Sequence, residues 1–275
     1  FVGADTVAAL LAAGMDEPGD GVQMVADVGT NCEIVIRHND RLIACSTPAG
    51  PAFEGARIRH GMYAGPGAIE QVSLDGDCTC KVIGRQTPRG ICGSGLVDIG
   101  AELLRTGLMD ETGRLLSASE IDGNINDTLP ARLTEEEGEN QFVVATGEAG
   151  QSIALTQRDI RELQVAKAAI CSGIEALLDA VGLQPSDISQ LYLAGGFGSY
   201  LNKAQAVRLG MIPEMPVDRI QFIGNAASVG ARLTLVSQEM RRRALHVAQQ
   251  AEHLQIAETA DFQMRFAEAM LFGEQ

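Results

Sequence analysis

The sequence predicts an α/β fold in which a mixed sheet carries helices on both faces. Three observations lead there. Residues 22–45 hold three short apolar runs divided by turn signals, and residues 156–181 form a strongly periodic helical stretch. A strand, a glycine turn and a helix then follow one another twice, first from residue 191 and again from residue 219. An antiparallel start followed by crossover units builds a sheet of mixed direction, buried on both sides. Ligands of such sheets bind outside the carboxyl ends of the strands, so the turns at Gly29, Gly195 and Gly224 are expected on one edge.

Each element has its own signal. Residues 1–13 are alanine-rich and stop at Gly14, which reads as a helix, and the acidic stretch 16–21 reads as a linker. Strands are expected at 22–27, 32–37 and 41–45, with turns at Gly29-Thr30-Asn31 and His38-Asn39-Asp40. Glycine and proline make 48–67 a loop system with one helical turn near 53–59, and loops of that length are often functional. Further strands are expected at 71–74 and 80–83, and a helix at 96–106 after the glycine-rich 90–95. Residues 122–140 read as a polar excursion, and 142–145 and 152–155 return to strand composition. Thr156 and Asp159 have capping-box spacing before a helix whose Ile160, Leu163, Ala166, Ile170, Ile174, Leu177 and Val181 recur at helical steps. Gly182 and Pro185 end that helix, 191–194 is a buried strand, and 219–223 is another, followed by a helix to about 241. An amphipathic helix is expected over 259–272.

Composition limits the function classes. A chain of 275 residues that is 45% hydrophobic can bury a large core. A formal charge of −15 argues against broad contact with nucleic-acid phosphates, although backbone N–H groups at a glycine turn can still hold a small anion. No apolar span of about 18 residues suggests a membrane crossing. The six cysteines, Cys32, Cys45, Cys78, Cys80, Cys92 and Cys171, show no disulfide spacing, which points to a reducing cytoplasm. Phe1 opens an apolar helix with no polar lead-in, as expected of a piece of a longer polypeptide.

Asp27 ends the first strand, and Gly29, Thr30 and Asn31 make the turn that follows. A carboxylate there can hold a nucleotide-bound Mg²⁺ or its water, while turn N–H groups and a hydroxyl hold phosphate oxygens. A plain hairpin with a solvated Asp explains the same residues. After the 191–194 strand, Gly195 and Gly196 leave bare backbone where an adenosine could lie; simple tight packing would also use them.

The order DVGT, three strands, then LAGGFG resembles the second lobe of the acetate and sugar kinase, heat-shock chaperone and actin (ASKHA) superfamily. That resemblance implies an RNase H-like (actin-like ATPase) mixed sheet. It implies a second phosphate motif at Asp27, Thr30 and Asn31, and an adenosine motif at Gly195, Gly196 and Phe197. Longer blocks, STPAGPAFEGARIRHGM (46–62), GICGSGLVDIGAELL (90–104), DIRELQVAKAAI (159–170), LAGGFGSYLN (193–202) and IGNAASVGA (223–231), resemble the reductive activators of corrinoid proteins. These are ATP-dependent, ferredoxin-like proteins that return Co(II) corrinoid to Co(I). The resemblance implies ATP and Mg²⁺ as cofactors and the corrinoid protein of a methyltransferase system as partner, with no nucleic acid, no membrane, and a homodimer left open.

It also sets expected boundaries: residues 1–20 as the remnant of a first lobe with its linker, and 21–275 as a second ATPase-like lobe with inserted loops. The plant-type 2Fe-2S domain is expected upstream, because this chain has no Cys-x₄-Cys-x₂-Cys run. A small-molecule kinase of the same superfamily and a non-catalytic docking domain are the alternatives. Glu54 and Asp98 are further candidates for the cleft. Cys78 and Cys80 lack a second pair, the four histidines form no metal spacing, and Arg241, Arg242 and Arg243 read as a solvated helix face.

Overall fold

The computed structural model describes residues 3–17, 19–121, 128–197, 201–256 and 260–273. In chain order the first elements are α1 (Ala4–Ala12), β1 (Val22–Val28), β2 (Cys32–His38), β3 (Arg41–Thr47), β4 (Ala68–Ser73), β5 (Thr79–Val82), β6 (Gly90–Ile91) and α2 (Gly93–Arg105). They are followed by β7 (Leu133–Glu136), β8 (Glu139–Thr146), β9 (Ser152–Thr156), α3 (Gln157–Val181), β10 (Ile188–Gly195) and α4 (Lys203–Arg208). The last are β11 (Ile220–Gly224), α5 (Ala226–Val236), α6 (Gln238–Gln250), β12 (Ala251–His253) and α7 (Ala260–Glu268).

The main sheet runs β11-β10-β1-β2-β3-β12, with β10 and β11 parallel to β1 and the β1–β3 meander antiparallel. This is the mixed sheet expected from the sequence. Its two faces are both covered. Met24, Ala26, Ile34 and Ile36 pack in one core with Leu163, Ile170 and Ile174 of α3. Val25, Val35, Leu42 and Ala44 pack in another with Val7 and Leu10 of α1 and Val247 of α6. Burial from both sides is why these strands read as unbroken apolar runs.

The turns obey their sequence signals. Asn39 and Asp40 both take left-handed φ (48° and 63°), the mirror-image turn that two-residue hairpins prefer. The Thr156 hydroxyl accepts from the Asp159 N–H, and the Asp159 carboxylate accepts from the Thr156 N–H (2.9 Å), completing the capping box of α3.

Several boundaries differ from the sequence reading. α2 starts at Gly93 rather than 96, because glycine lets its first turn press on backbone: a Cβ on Gly95 would lie 2.3 Å from the Ile69 carbonyl oxygen. The helix expected to run to about 241 breaks at Ser237, which turns extended (φ −133°, ψ 122°) and caps α6. β7 lies inside the expected polar excursion, whose residues 122–127 are outside the described ones. α1 packs on the main sheet through Val7 and Leu10. α1 crosses α5 in backbone contact, since a Cβ on Gly230 would meet the Ala8 carbonyl at 1.9 Å. No helix among the described residues is long and apolar enough to cross a membrane.

Candidate functional site

β1, β10 and β11 run side by side in parallel, so their carboxyl ends share one edge of the sheet. The register places Val28 beside Gly195 and Ala194 beside Gly224. The three glycine turns therefore open together, as the sequence pattern requires.

The two glycines of β10 and its turn do different things. Gly195 has φ +130°, and a Cβ there would sit 2.2 Å from the Val28 carbonyl oxygen, so this residue lets the turn press against β1. At Gly196 a Cβ would meet nothing within 4 Å among the described residues, which leaves open space above the backbone. Phe197 follows and is fully buried, its ring 5.0 Å from Phe53 and 6.0 Å from Phe222. Its part in this edge is to hold the glycine turn, and its carbonyl accepts from the Ser94 N–H at 2.9 Å. Gly198 lies outside the described residues.

Across the edge, the Gly29 N–H donates to the Asn31 carbonyl (3.0 Å), and the Gly50 N–H donates to the Thr30 carbonyl (2.8 Å). Thr30 and Asn31 are exposed. Asp27 is half-buried and pairs across the hairpin with Glu33, so both carboxylates stand on one face of the sheet. Burial, and then the charge of Asp5 at the start of α1, raise the Asp27 carboxyl above its ordinary value. Glu33 is also raised, chiefly by burial, with Asp5 and Asp27 adding and a hydrogen bond from Ser46 (3.1 Å) opposing. Three carboxylates of like charge thus gather beside the Gly29 turn, an arrangement that a cation would relieve.

Glu54 belongs to this edge as well, since its Oε1 lies 3.6 Å from where a Gly29 side chain would begin. Asp98 does not. It is buried against β4, where one oxygen accepts from the Val72 N–H (3.2 Å) and the other has no hydrogen-bond partner. Burial pushes its carboxyl up to about 6, with the neighbouring Glu102 adding to the effect. Its folded-state pKa exceeds the ordinary 3.8, so the stability it contributes is full below that value and is lost as pH rises through about 6. Asp98→Asn is expected to flatten the decline in melting temperature between pH 4 and 7; an unchanged slope would contradict this assignment.

The glycine-rich blocks at 46–62 and 90–95 meet at this edge. The Met62 N–H donates to the Ile91 carbonyl (2.9 Å) and the Ile91 N–H to the His60 carbonyl (2.8 Å). A Cβ on Gly93 would sit 2.4 Å from the Phe53 carbonyl oxygen. Both blocks are thus framework for the turn that carries Gly195 and Gly196. Asp159 extends the frame by accepting from the Arg59 N–H (2.9 Å). None of the six cysteines is in a disulfide, and among the described residues no cluster of three or more His, Cys, Asp or Glu is arranged to hold a metal. A nucleotide-borne Mg²⁺ needs fewer protein ligands than such a cage, because phosphates and water fill most of its shell.

Residues 21–275 match the family described as the C-terminal domain of RACo, the ASKHA domain. The corrinoid activation enzyme RamQ of Eubacterium limosum is 35% identical over 279 residues, covering 100% of this chain and 46% of that protein. A Co(II) methylated amine-specific corrinoid protein reductase of Methanosarcina barkeri is 27% identical over 289 residues, covering 95% of this chain and 48% of that one. A solved reductive activator for corrinoid, iron-sulfur protein superposes with a TM-score of 0.90 at 34% identity, over 99% of this chain and 43% of its own. The chain spans about half the length of these relatives.

Proposed function

The chain belongs to the family of RACo C-terminal ASKHA domains, and from that premise we propose that it is the nucleotide-binding portion of an ATP-dependent reductive activator. The parent protein would return the Co(II) corrinoid protein of a methyltransferase system to Co(I). One observation supports this reading above the rest: the Asp27–Asn31 turn and the Gly195–Gly196 turn stand on adjacent parallel strands in register, with open space at Gly196.

In this reading the Gly29 turn, with the Thr30 hydroxyl and Asn31, faces phosphate oxygens, and the bare backbone of Gly196 faces the nucleoside. Asp27 holds the Mg²⁺ or a water bound to it, with Glu33 beside it on the sheet. Bound Mg²⁺ neutralises phosphate charge, and its own charge would pull the raised Asp27 carboxyl back toward the ionised form. The residues of this chain do not fit an iron-sulfur cluster, since the buried thiols are dispersed and Cys78 and Cys80 have no matching pair. On this reading the electron would come from outside these residues, from a 2Fe-2S domain of the parent protein. Cysteines outside any disulfide suit a reducing cytoplasm.

What ATP supplies is bias. An electron delivered uphill to cobalt costs about 1.4 kcal/mol for each 59 mV of mismatch. A nucleotide whose occupancy changes which corrinoid state the activator prefers can offset that cost through coupled binding. Titration of the parent protein with a fluorescent ATP analogue tests the site. Mg²⁺ is expected to tighten binding, and Asp27→Asn to remove at least tenfold of that gain. Equal Mg²⁺ dependence in the variant would sink the role given to Asp27, and a phosphorylated small-molecule product would favour a kinase.

A further inference from the structure

The loops at 56–67 and 83–91 carry Arg57, Arg59, Arg85 and Arg89 and no acidic residue, in a chain of net charge −15. They lie side by side. The Gly67 N–H donates to the Ile83 carbonyl (2.9 Å), the Arg89 N–H donates to the Gly67 carbonyl (2.8 Å), and a Cβ on Gly67 would touch the Arg89 stem at 2.7 Å. Arg85 and Arg89 are exposed, and neither meets a carboxylate within ion-pair distance among the described residues. Arg57 is 67% exposed with its nearest carboxylate, Glu162, at 3.8 Å, and Arg59 is shared with Glu136 at 2.9 Å. Tyr63, on the first of these loops, is 74% exposed. The other concentration of arginines is already engaged: Arg243 with Asp16 and Glu17, Arg242 with Glu239, and Arg241 with the Thr234 and Leu235 carbonyls.

We propose that Arg57, Arg59, Arg85, Arg89 and Tyr63 form a docking surface for an acidic face of a protein partner, which on the reading above is the corrinoid protein. Exposed arginine beside exposed tyrosine is the composition of interface anchors, and unpaired guanidinium groups offer planar, two-pronged contacts to carboxylates. A long polyanion is a poor occupant, because the surrounding surface of a strongly acidic chain repels it, whereas a protein can present carboxylates to these two loops alone. The position suits a partner whose affinity must respond to nucleotide: the residues just before the loop of Arg57 and Arg59 include Glu54 at the Gly29 turn and Phe53 against Phe197.

The test uses the full-length activator and its corrinoid protein, with the wild type and the Arg85→Glu/Arg89→Glu variant compared by biolayer interferometry from 50 to 300 mM NaCl. Circular dichroism checks folding and the fluorescent ATP analogue checks the nucleotide site. The double variant is expected to fold, to bind the analogue as the wild type does, and to bind the corrinoid protein about tenfold more weakly, chiefly through slower association and with a shallower salt dependence. Arg59→Lys keeps the charge and is expected to bind within a few-fold of the wild type. Unchanged partner affinity in a variant whose wild type forms ATP-dependent Co(I) overturns the docking surface and leaves the activator reading standing. Weakened ATP-analogue binding with partner affinity intact also overturns it, by moving the arginines to the nucleotide. A wild-type protein that neither binds nor reduces the corrinoid protein removes the activator reading, and this proposal with it.

Discussion

Gly195→Ala is expected to lower the melting temperature by about 10 °C, while Gly196→Ala leaves it nearly unchanged and instead weakens MgATP binding at least tenfold. The two substitutions add the same methyl group to neighbouring residues. At Gly195 that methyl meets the Val28 carbonyl oxygen at 2.2 Å and forces an L-residue to φ +130°, so β10 must separate from β1 or strain its turn. Backbone strain and overpacking each cost about 1–3 kcal/mol, and for a chain of this size each 1 kcal/mol shifts the transition by about 2–4 °C. At Gly196 the methyl meets none of the described residues, so the fold has no reason to object. That space is where the proposed nucleoside would lie, and filling it should appear in ligand affinity alone. Calorimetric melts and ATP titration of both variants check the pair. A stability loss at Gly196 equal to that at Gly195, or unaltered affinity, would contradict the assignment.

The second large effect is expected far from this edge. Lys167 is fully buried on α3, where its ammonium donates to the Ala269 and Leu271 carbonyls (both 2.6 Å) and lies 5.2 Å from the Phe272 ring centre. It thereby ties down the segment that follows α7, since Ala269 and Leu271 lie beyond that helix. Gln164 supports it by donating to the Met270 carbonyl at 2.6 Å. Lys167→Met leaves the buried Ala269 carbonyl and the partly buried Leu271 carbonyl without this donor and should cost about 3 kcal/mol, seen as early hydrogen exchange and proteolysis at 260–273. Burial pulls the Lys167 ammonium down from 10.5 to about 8. Because the folded-state value is depressed, the stability it contributes is full above about 10.5 and is lost as pH falls through 8. The wild type is thus expected to gain stability from pH 8 toward 10, and Lys167→Met to lack that gain. Parallel pH profiles would show that Lys167 is not the group responsible.

Much of the sheet edge was legible in residues 22–36 and 191–224, because strands buried on both faces leave long apolar runs and glycine turns punctuate them. Glu33 could have been found the same way. A three-residue turn at Gly29-Thr30-Asn31 pairs Val28 with Cys32 and therefore Asp27 with Glu33. Asp5 could not, since its approach depends on α1 folding back over the sheet against α5, a contact between residues more than 200 apart in the chain. The burial of Phe197 was equally hidden: its neighbours Phe53 and Phe222 come from distant segments, and a Phe after two glycines reads alike whether it faces a ligand or a core. The glycines of the blocks at 46–62 and 90–95 carried no chemical signal of their own because they act as framework, through close backbone approach and absent Cβ atoms rather than reactive side chains.

The account stands on nucleotide use at the carboxyl-end edge driving cobalt reduction. Its most direct test takes the complete parent protein, reduced under anaerobic conditions with its corrinoid partner, and follows Co(I) absorbance with and without MgATP. The account predicts a Co(I) signal that requires MgATP and falls at least 100-fold in rate on Asp27→Ala. Co(I) formation at the same rate without nucleotide, or in the Asp27→Ala protein, would contradict it.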